Sequence, residues 1–287
     1  MSFLEREKRK LHYQFFCHDE PQAPLVIYLH GLLMDNLSSG YFTFAHSLSK
    51  HAHVLLFDLH GHGRSRFTST GYRLSDHLED IQALIHRVYE EISKQHQRVI
   101  SPLNITLIGC SFGGALALKA AVHLPNITSI ILLEGHLGTP KFIKQLSQDL
   151  QATGSEAEAL IQHHFQHWLH RDSPRKRSRL LKKTKQLVYE SSLISDLKAV
   201  NLQQQAQPSL QDNLLVLEKV SQPIYFLYGS HSDAYTQAWS YFLERKKHVT
   251  LDRFDRFDGL THALLWEATT EVTQKIVNWV TNEGKEI

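Results

Sequence analysis

The chain reads as a single α/β unit with a mostly parallel central sheet flanked by helices and a helical insertion late in the sheet. Three observations predict this. Continuous apolar runs of strand length recur, amphipathic helical patterns separate them, and the stretch 136–219 lacks a convincing strand. Continuous rather than alternating runs imply strands covered on both faces, and strand alternating with helix implies parallel pairing.

The runs are Leu25 to Leu29, Val54 to Phe57, Ile105 to Ile108, Ile130 to Leu133 and Ile224 to Tyr228. Between the second and third lies the clearest helix. It is expected to start at Ser75 as N-cap, with Leu78, Ile81, Ile85 and Val88 along one face. A last helix is expected from about Ala263 to Thr281, burying Val272, Ile276, Trp279 and Val280. The segment from His136 to Lys219 contains polar helical patterns, including Ser155 to His170 and Arg179 to Ser192. Its place near the C-terminal ends of the strands fits a lid over a site. The expected organisation is therefore core at 1–135, cap at 136–219 and core again at 220–287.

Composition narrows the function classes. The 287 residues carry 31 Lys and Arg against 29 Asp and Glu, so no global field draws the protein to nucleic acid or membrane. The most apolar region, Leu103 to Leu133, is broken by Gly109, Gly113, Gly114, Lys119, His123 and Pro125, and is read as strand, helix, strand rather than a membrane span. The first residues lack the pattern of a secretory signal, so a cytoplasmic location is expected. Cys17 and Cys110 are the two cysteines, too few for a disulfide framework or a four-cysteine zinc site.

The strongest chemical signal is Gly109-Cys110-Ser111-Phe112-Gly113, followed by Gly114. It stands directly after one apolar run and before the helical pattern Ala115 to Val122, the context of a strained strand-to-helix turn that presents a nucleophile. A serine hydroxyl needs a base to become nucleophilic near neutral pH, and histidine is the side chain whose ordinary pKa suits the task. Among 20 histidines, His262 is the candidate by place, in a short loop before the last helix. A carboxylate should orient that imidazole. Asp233, four residues beyond Gly229, is preferred; Glu134, at the end of the run Ile130 to Leu133, is the alternative. As bland readings, Asp233 would be a turn residue and Glu134 a cap on strand-end backbone.

These motifs together resemble the α/β-hydrolase superfamily, of the serine esterase and thioesterase kind with a helical cap. His30-Gly31 resembles its oxyanion loop, and Asp58-Leu59-His60-Gly61-His62-Gly63-Arg64-Ser65 its DxxGxGxS turn. The elbow at Ser111, the segment Tyr228 to Asp233 and the pair Thr261-His262 follow in the family's order. The resemblance implies an oxyanion hole formed by the backbone N–H groups of Leu32 and Phe112. It favours Asp233 as the acid, whereas thioesterase domains of synthases place an aspartate where this chain has Glu134.

The resulting expectation is an acyl hydrolase acting on an ester or thioester through Ser111, His262 and Asp233, without cofactor or metal. Alternatives are a thioesterase or acyltransferase with Glu134 as acid, a C–C bond hydrolase, and an inactive scaffold that binds a small ligand. Asp58 and its glycines are read as structural, His60 and His62 as lining the surface, and Cys110 as a small apolar residue facing away from Ser111. His163, His167 and His170 share a helical face but lack the other marks of a metal site. Seven cations fall in residues 175–185, a solvated face or a docking patch for coenzyme A phosphates or an acyl carrier protein.

Overall fold

The computed structural model describes residues 2–6, 9–31, 36–65, 70–135, 137 and 218–281. Eight strands form one sheet: β1 (Ser2–Arg6), β2 (Arg9–Phe16), β3 (Leu25–Leu29), β4 (His53–Phe57), β5 (Ile105–Cys110), β6 (Ile127–Leu133), β7 (Ile224–Gly229) and β8 (Arg253–Phe257). Their order is β1-β2-β4-β3-β5-β6-β7-β8. The pairs from β4 through β8 are parallel; β1–β2 and β2–β4 are antiparallel.

The helices are α1 (Leu37–Gly40) and α2 (His46–Leu48) with a π-helical turn, Tyr41–Ala45, between them. They continue as α3 (Leu74–His96), α4 (Phe112–His123), α5 (Tyr235–Arg245), α6 (Leu264–Glu267) and α7 (Thr269–Val280).

Each apolar run serves two cores. Leu25, Ile27 and Leu29 of β3 pack with Leu55 and Leu107 against Ile81, Leu84 and Val88 of α3 and Leu116 of α4. Val26 and Tyr28, on the opposite face, pack with Leu56, Ile108 and Ile131 against Phe44, Leu48, Leu264, Ile276 and Trp279. Successive side chains of a strand point to opposite faces, so a strand covered on both sides must be apolar throughout. The five runs are strands, each within a few residues of its expected bounds.

Three expectations need correction. Ser75 lies inside α3, whose N-cap is Arg73; the Asp76 side chain accepts the Arg73 backbone N–H at 2.7 Å. The last helix is two, parted at Ala268, whose φ of −135° and ψ of 42° are not helical. The hairpin β1–β2, the edge strand β8 and helix α5 add to the elements that the apolar runs predict. Residues 136–219, the expected cap, lie outside the described residues apart from Leu137, Glu218 and Lys219, as do the histidines at 163, 167 and 170 and the cations of 175–185.

The chain passes from β3 outward to β4 and then returns to β5 on the other side of β3. That reversal opens a crevice at the C-terminal ends of β3 and β5, where ligands bind in sheets of this kind.

Candidate active site

Ser111 sits at the end of β5 beside that reversal. It has φ 52° and ψ −117°, a conformation that side chains rarely adopt, and α4 begins at the next residue. Its backbone is pinned on both sides: the Ser111 N–H donates to Leu133 O at 3.3 Å, and the Gly114 N–H donates to Ser111 O at 3.0 Å. The glycines are steric necessities. A Cβ on Gly113 would overlap the Leu29 carbonyl of β3, one on Gly109 would come within 2.5 Å of Gly113 O, and one on Gly114 within 2.6 Å of Gly135 Cα. Three backbones therefore converge on the turn that carries the serine.

Phe112, buried beneath the turn, opens α4. Its backbone N–H belongs to the first helical turn, whose donors have no acceptor four residues back in the helix and can serve an anion. Leu32, the other expected donor, lies outside the described residues.

The loop leading there is held by His30. The Leu59 N–H donates to His30 Nε2 at 2.9 Å, so that nitrogen carries no proton and Nδ1 donates to Gly31 O at 2.6 Å. Burial, reinforced by neighbouring His62, lowers the His30 pKa to about 3, so the ring stays neutral. The sequence motif places His30 in the oxyanion loop but gives no sign of this bridge between the β3 and β4 loops.

His262 follows β8 in the loop before α6, half-buried, with Thr261 and Leu260 buried beside it. Its Nδ1 lies 3.3 Å from Glu134 Oε2. Glu134, 1% exposed, ends β6 with φ 54°, and its backbone N–H donates to Leu227 O of β7 at 3.0 Å. The left-handed turn carries the carboxyl across the end of β7. There Oε1 accepts the Gly229 N–H at 2.5 Å and Oε2 accepts the Ser232 hydroxyl in a short hydrogen bond.

Asp233, the preferred acid of the sequence reading, is exposed, while its neighbour Ser232 is buried and turned toward Glu134. It is Glu134 that stands within hydrogen-bond distance of His262 Nδ1. A short turn follows β7, in which Ser232 N–H closes back onto Gly229 O at 3.0 Å. It is the Ser232 hydroxyl that reaches Glu134.

The DxxGxGxS segment is a structural knot. Asp58 accepts the Leu37 N–H at 2.9 Å, the Arg64 N–H at 2.8 Å and His12 Nδ1 at 2.7 Å, while the Ser65 hydroxyl donates to Asp58 O at 2.6 Å. Gly63 has φ 51°, and a Cβ there would lie 2.5 Å from the Asp58 carboxyl carbon. His60 and His62 are fully buried rather than on the surface. Burial lowers the His60 pKa to about 4, and His62 meets His30 edge to face at 5.4 Å between ring centres. Cys110 is partly buried against the core face that holds Ile108 and Leu133.

A doubly covered parallel sheet with a serine on a strained turn after β5 and a histidine in the loop after β8 defines an α/β hydrolase. The chain belongs to the alpha/beta hydrolase family, whose model matches residues 26–274. A proline iminopeptidase of Pestalotiopsis fici is 32% identical over 160 residues, 54% of this chain and 52% of that protein. The chain therefore spans about half the length of that curated relative.

Solved structures with the same fold include an esterase from Exiguobacterium antarcticum, with 17% identity and TM-score 0.68 over 95% of this chain and 96% of that one. An enol-lactonase from Burkholderia xenovorans shares 19% identity, with TM-score 0.71 over 98% and 100%. A hydrolase from Pseudomonas aeruginosa shares 16% identity, with TM-score 0.73 over 97% of each chain. Among the described residues, no helix is long and apolar enough to cross a membrane.

Proposed function

We propose that the chain is a serine hydrolase that cleaves a carboxylic ester or thioester through an acyl-enzyme on Ser111, with His262 as base and Glu134 as the orienting carboxylate. The observation that carries this reading is the contact of Glu134 Oε2 with His262 Nδ1, made at the same sheet edge as the strained turn of Ser111. A proton held on Nδ1 by the carboxylate leaves Nε2 as the basic nitrogen.

In the first half-reaction Ser111 Oγ attacks the substrate carbonyl while His262 Nε2 takes its proton. The Glu134 carboxylate stabilises the imidazolium. The Phe112 N–H, with that of Leu32 by family resemblance, receives the oxyanion; one such donor is worth about 3 kcal/mol. His262 then protonates the leaving alcohol or thiol. Water, deprotonated by His262, frees the acid in the second half-reaction.

The position of Glu134 at the end of β6 also fits the thioesterase-like segment Leu132 to Gly135 and keeps coenzyme A or carrier-protein thioesters among the substrates to test. The cations of 175–185 would supply the cationic patch on which such anionic substrates dock. The iminopeptidase relative adds prolyl amides to the same panel.

The test is intact-protein mass after exposure to a fluorophosphonate near neutral pH, which transfers its phosphonyl group to an activated serine with loss of fluoride. One adduct on the wild type is expected, abolished by Ser111→Ala and by His262→Ala. An adduct that survives Ser111→Ala would overturn the assignment. Turnover of esters, thioesters and prolyl amides by enzyme that takes the label then ranks the leaving groups.

A further inference from the structure

The turn after β7 does more than pass near the histidine. Ser232 is 8% exposed, while His231 and Asp233 on either side are exposed. Its hydroxyl oxygen accepts the Ala234 N–H at 3.2 Å, which directs the hydroxyl proton away from α5 and onto Glu134 Oε2. The turn itself is anchored to the loop that carries His262: Ser230 N–H donates to Phe257 O, and His231 N–H to Leu260 O, each at 2.9 Å, while Gly259 N–H donates to Ser230 Oγ at 2.9 Å. Gly229 N–H fixes the other carboxylate oxygen, and the Tyr228 hydroxyl donates to Gly135 O at 2.6 Å, securing the residue after Glu134. One short segment thus grips Glu134 from both oxygens and grips the histidine loop as well.

We propose that Ser232 is a positioning residue of the hydrolytic site, its hydroxyl holding Glu134 Oε2 in register with His262 Nδ1; the inference rests on the triad reading above. The terminal torsion of a glutamate is broad and has no staggered wells to hold it. Two donors on opposite oxygens remove that freedom, and Ser232 supplies the one on the oxygen that faces the imidazole.

The experiment measures the rate of fluorophosphonate labelling against probe concentration at about pH 7.5 for wild type, Ser232→Ala, Ser232→Cys, Ser232→Thr and Glu134→Gln. For Ser232→Ala we expect the maximal labelling rate to fall about tenfold, the size of losing one hydrogen bond to a charged group. The concentration of probe giving half that rate should stay unchanged. Ser232→Thr restores the hydroxyl and should recover the rate. Ser232→Cys, near-isosteric with a weak S–H donor, should slow labelling in the same direction as Ala and is the variant read if Ala does not fold.

A wild-type maximal rate in Ser232→Ala, or in Ser232→Cys where Ala is unfolded, overturns the proposal, and so does a loss that appears only in the half-rate probe concentration. So does a loss that Ser232→Thr leaves in place. If Glu134→Gln collapses the rate while Ser232 variants match wild type, the positioning role alone fails. If Glu134→Gln itself labels like wild type, the triad reading fails and the role of Ser232 falls with it.

Discussion

Glu134 Oε2 and His262 Nδ1 stand 3.3 Å apart although 128 positions of chain separate them. Their meeting depends on β6, β7 and β8 lying side by side in the parallel sheet, so that the end of β6 reaches across β7 to the loop after β8. The left-handed φ of Glu134 makes that reach possible by turning the side chain along the sheet edge.

This geometry separates the two carboxylates experimentally. Glu134→Gln should slow fluorophosphonate labelling by about a thousandfold or more, as expected when the group that fixes the imidazole tautomer is neutralised. Asp233→Asn, at an exposed position, should stay within about twofold of wild type. The reverse ranking, read from labelling rates at pH near 7.5, would return the role to Asp233.

The elbow glycines permit a second prediction. A Cβ on Gly113 would overlap the Leu29 carbonyl, a backbone atom of a central strand that has no side chain to swing away. Gly113→Ala should therefore give no soluble folded protein, or one destabilised by more than about 4 kcal/mol in urea unfolding. Gly259, with φ 72° but nothing within 4 Å of where a methyl would stand, should accept Ala at a smaller cost, about 1 kcal/mol. Equal losses at both positions would mean that crowding at the elbow is not what demands glycine.

The parts of this arrangement that sequence makes legible are those enforced by burial. β3, β5 and β7 are apolar on both faces, Ser111 lies directly beyond the run of β5, and His262 is marked by its place in the loop before the last helical segment. What escapes is what the edge and the turns decide. β8 reads Arg-Phe-Asp-Arg-Phe, too polar to announce a strand, because it pairs only with β7 at the rim. β2 begins Arg-Lys-Leu-His, and its charges serve Asp76 and Asp80 of α3 through Arg9, a partnership no local pattern reveals. The approach of Glu134 to His262 depends on the left-handed backbone at Glu134 itself. Spacing along the chain carries no information about that.

Buried neutral histidine supplies a third prediction, with a definite sign. Above about pH 6.5 His30 is neutral in both folded and unfolded chains. Between that value and its folded pKa of about 3, the unfolded chain takes up a proton that the folded one refuses. Stability must then fall as pH falls, by up to about 1.4 kcal/mol per pH unit from this residue. Replacing it by a non-titrating side chain, His30→Gln, should reduce the slope of unfolding free energy against pH near pH 5 by about one proton. Urea titrations of both proteins at several pH values measure it; identical slopes would show that His30 is not excluded from protonation by folding.

The remaining prediction concerns how His262 is held. Glu267 at the end of α6 accepts the Thr261 N–H at 2.7 Å through one oxygen and the Thr261 hydroxyl at 2.9 Å through the other, while the Thr261 Oγ1 accepts the Ala263 N–H at 3.2 Å. The residues on both sides of the histidine are therefore tied, directly or through Thr261, to one carboxylate. Glu267→Ala removes both acceptors and leaves the Thr261 N–H, buried at the loop, to find water. Labelling of Ser111 should slow by about tenfold, and Thr261→Val, which keeps the backbone bond but loses the hydroxyl, should fall between that variant and wild type. Both variants should keep the far-ultraviolet circular dichroism of the parent, because neither Thr261 nor Glu267 belongs to the two hydrophobic cores. A wild-type labelling rate in Glu267→Ala would mean that Glu134 and the β7 turn suffice to orient His262, and that Glu267 serves only to close the first turn of α6.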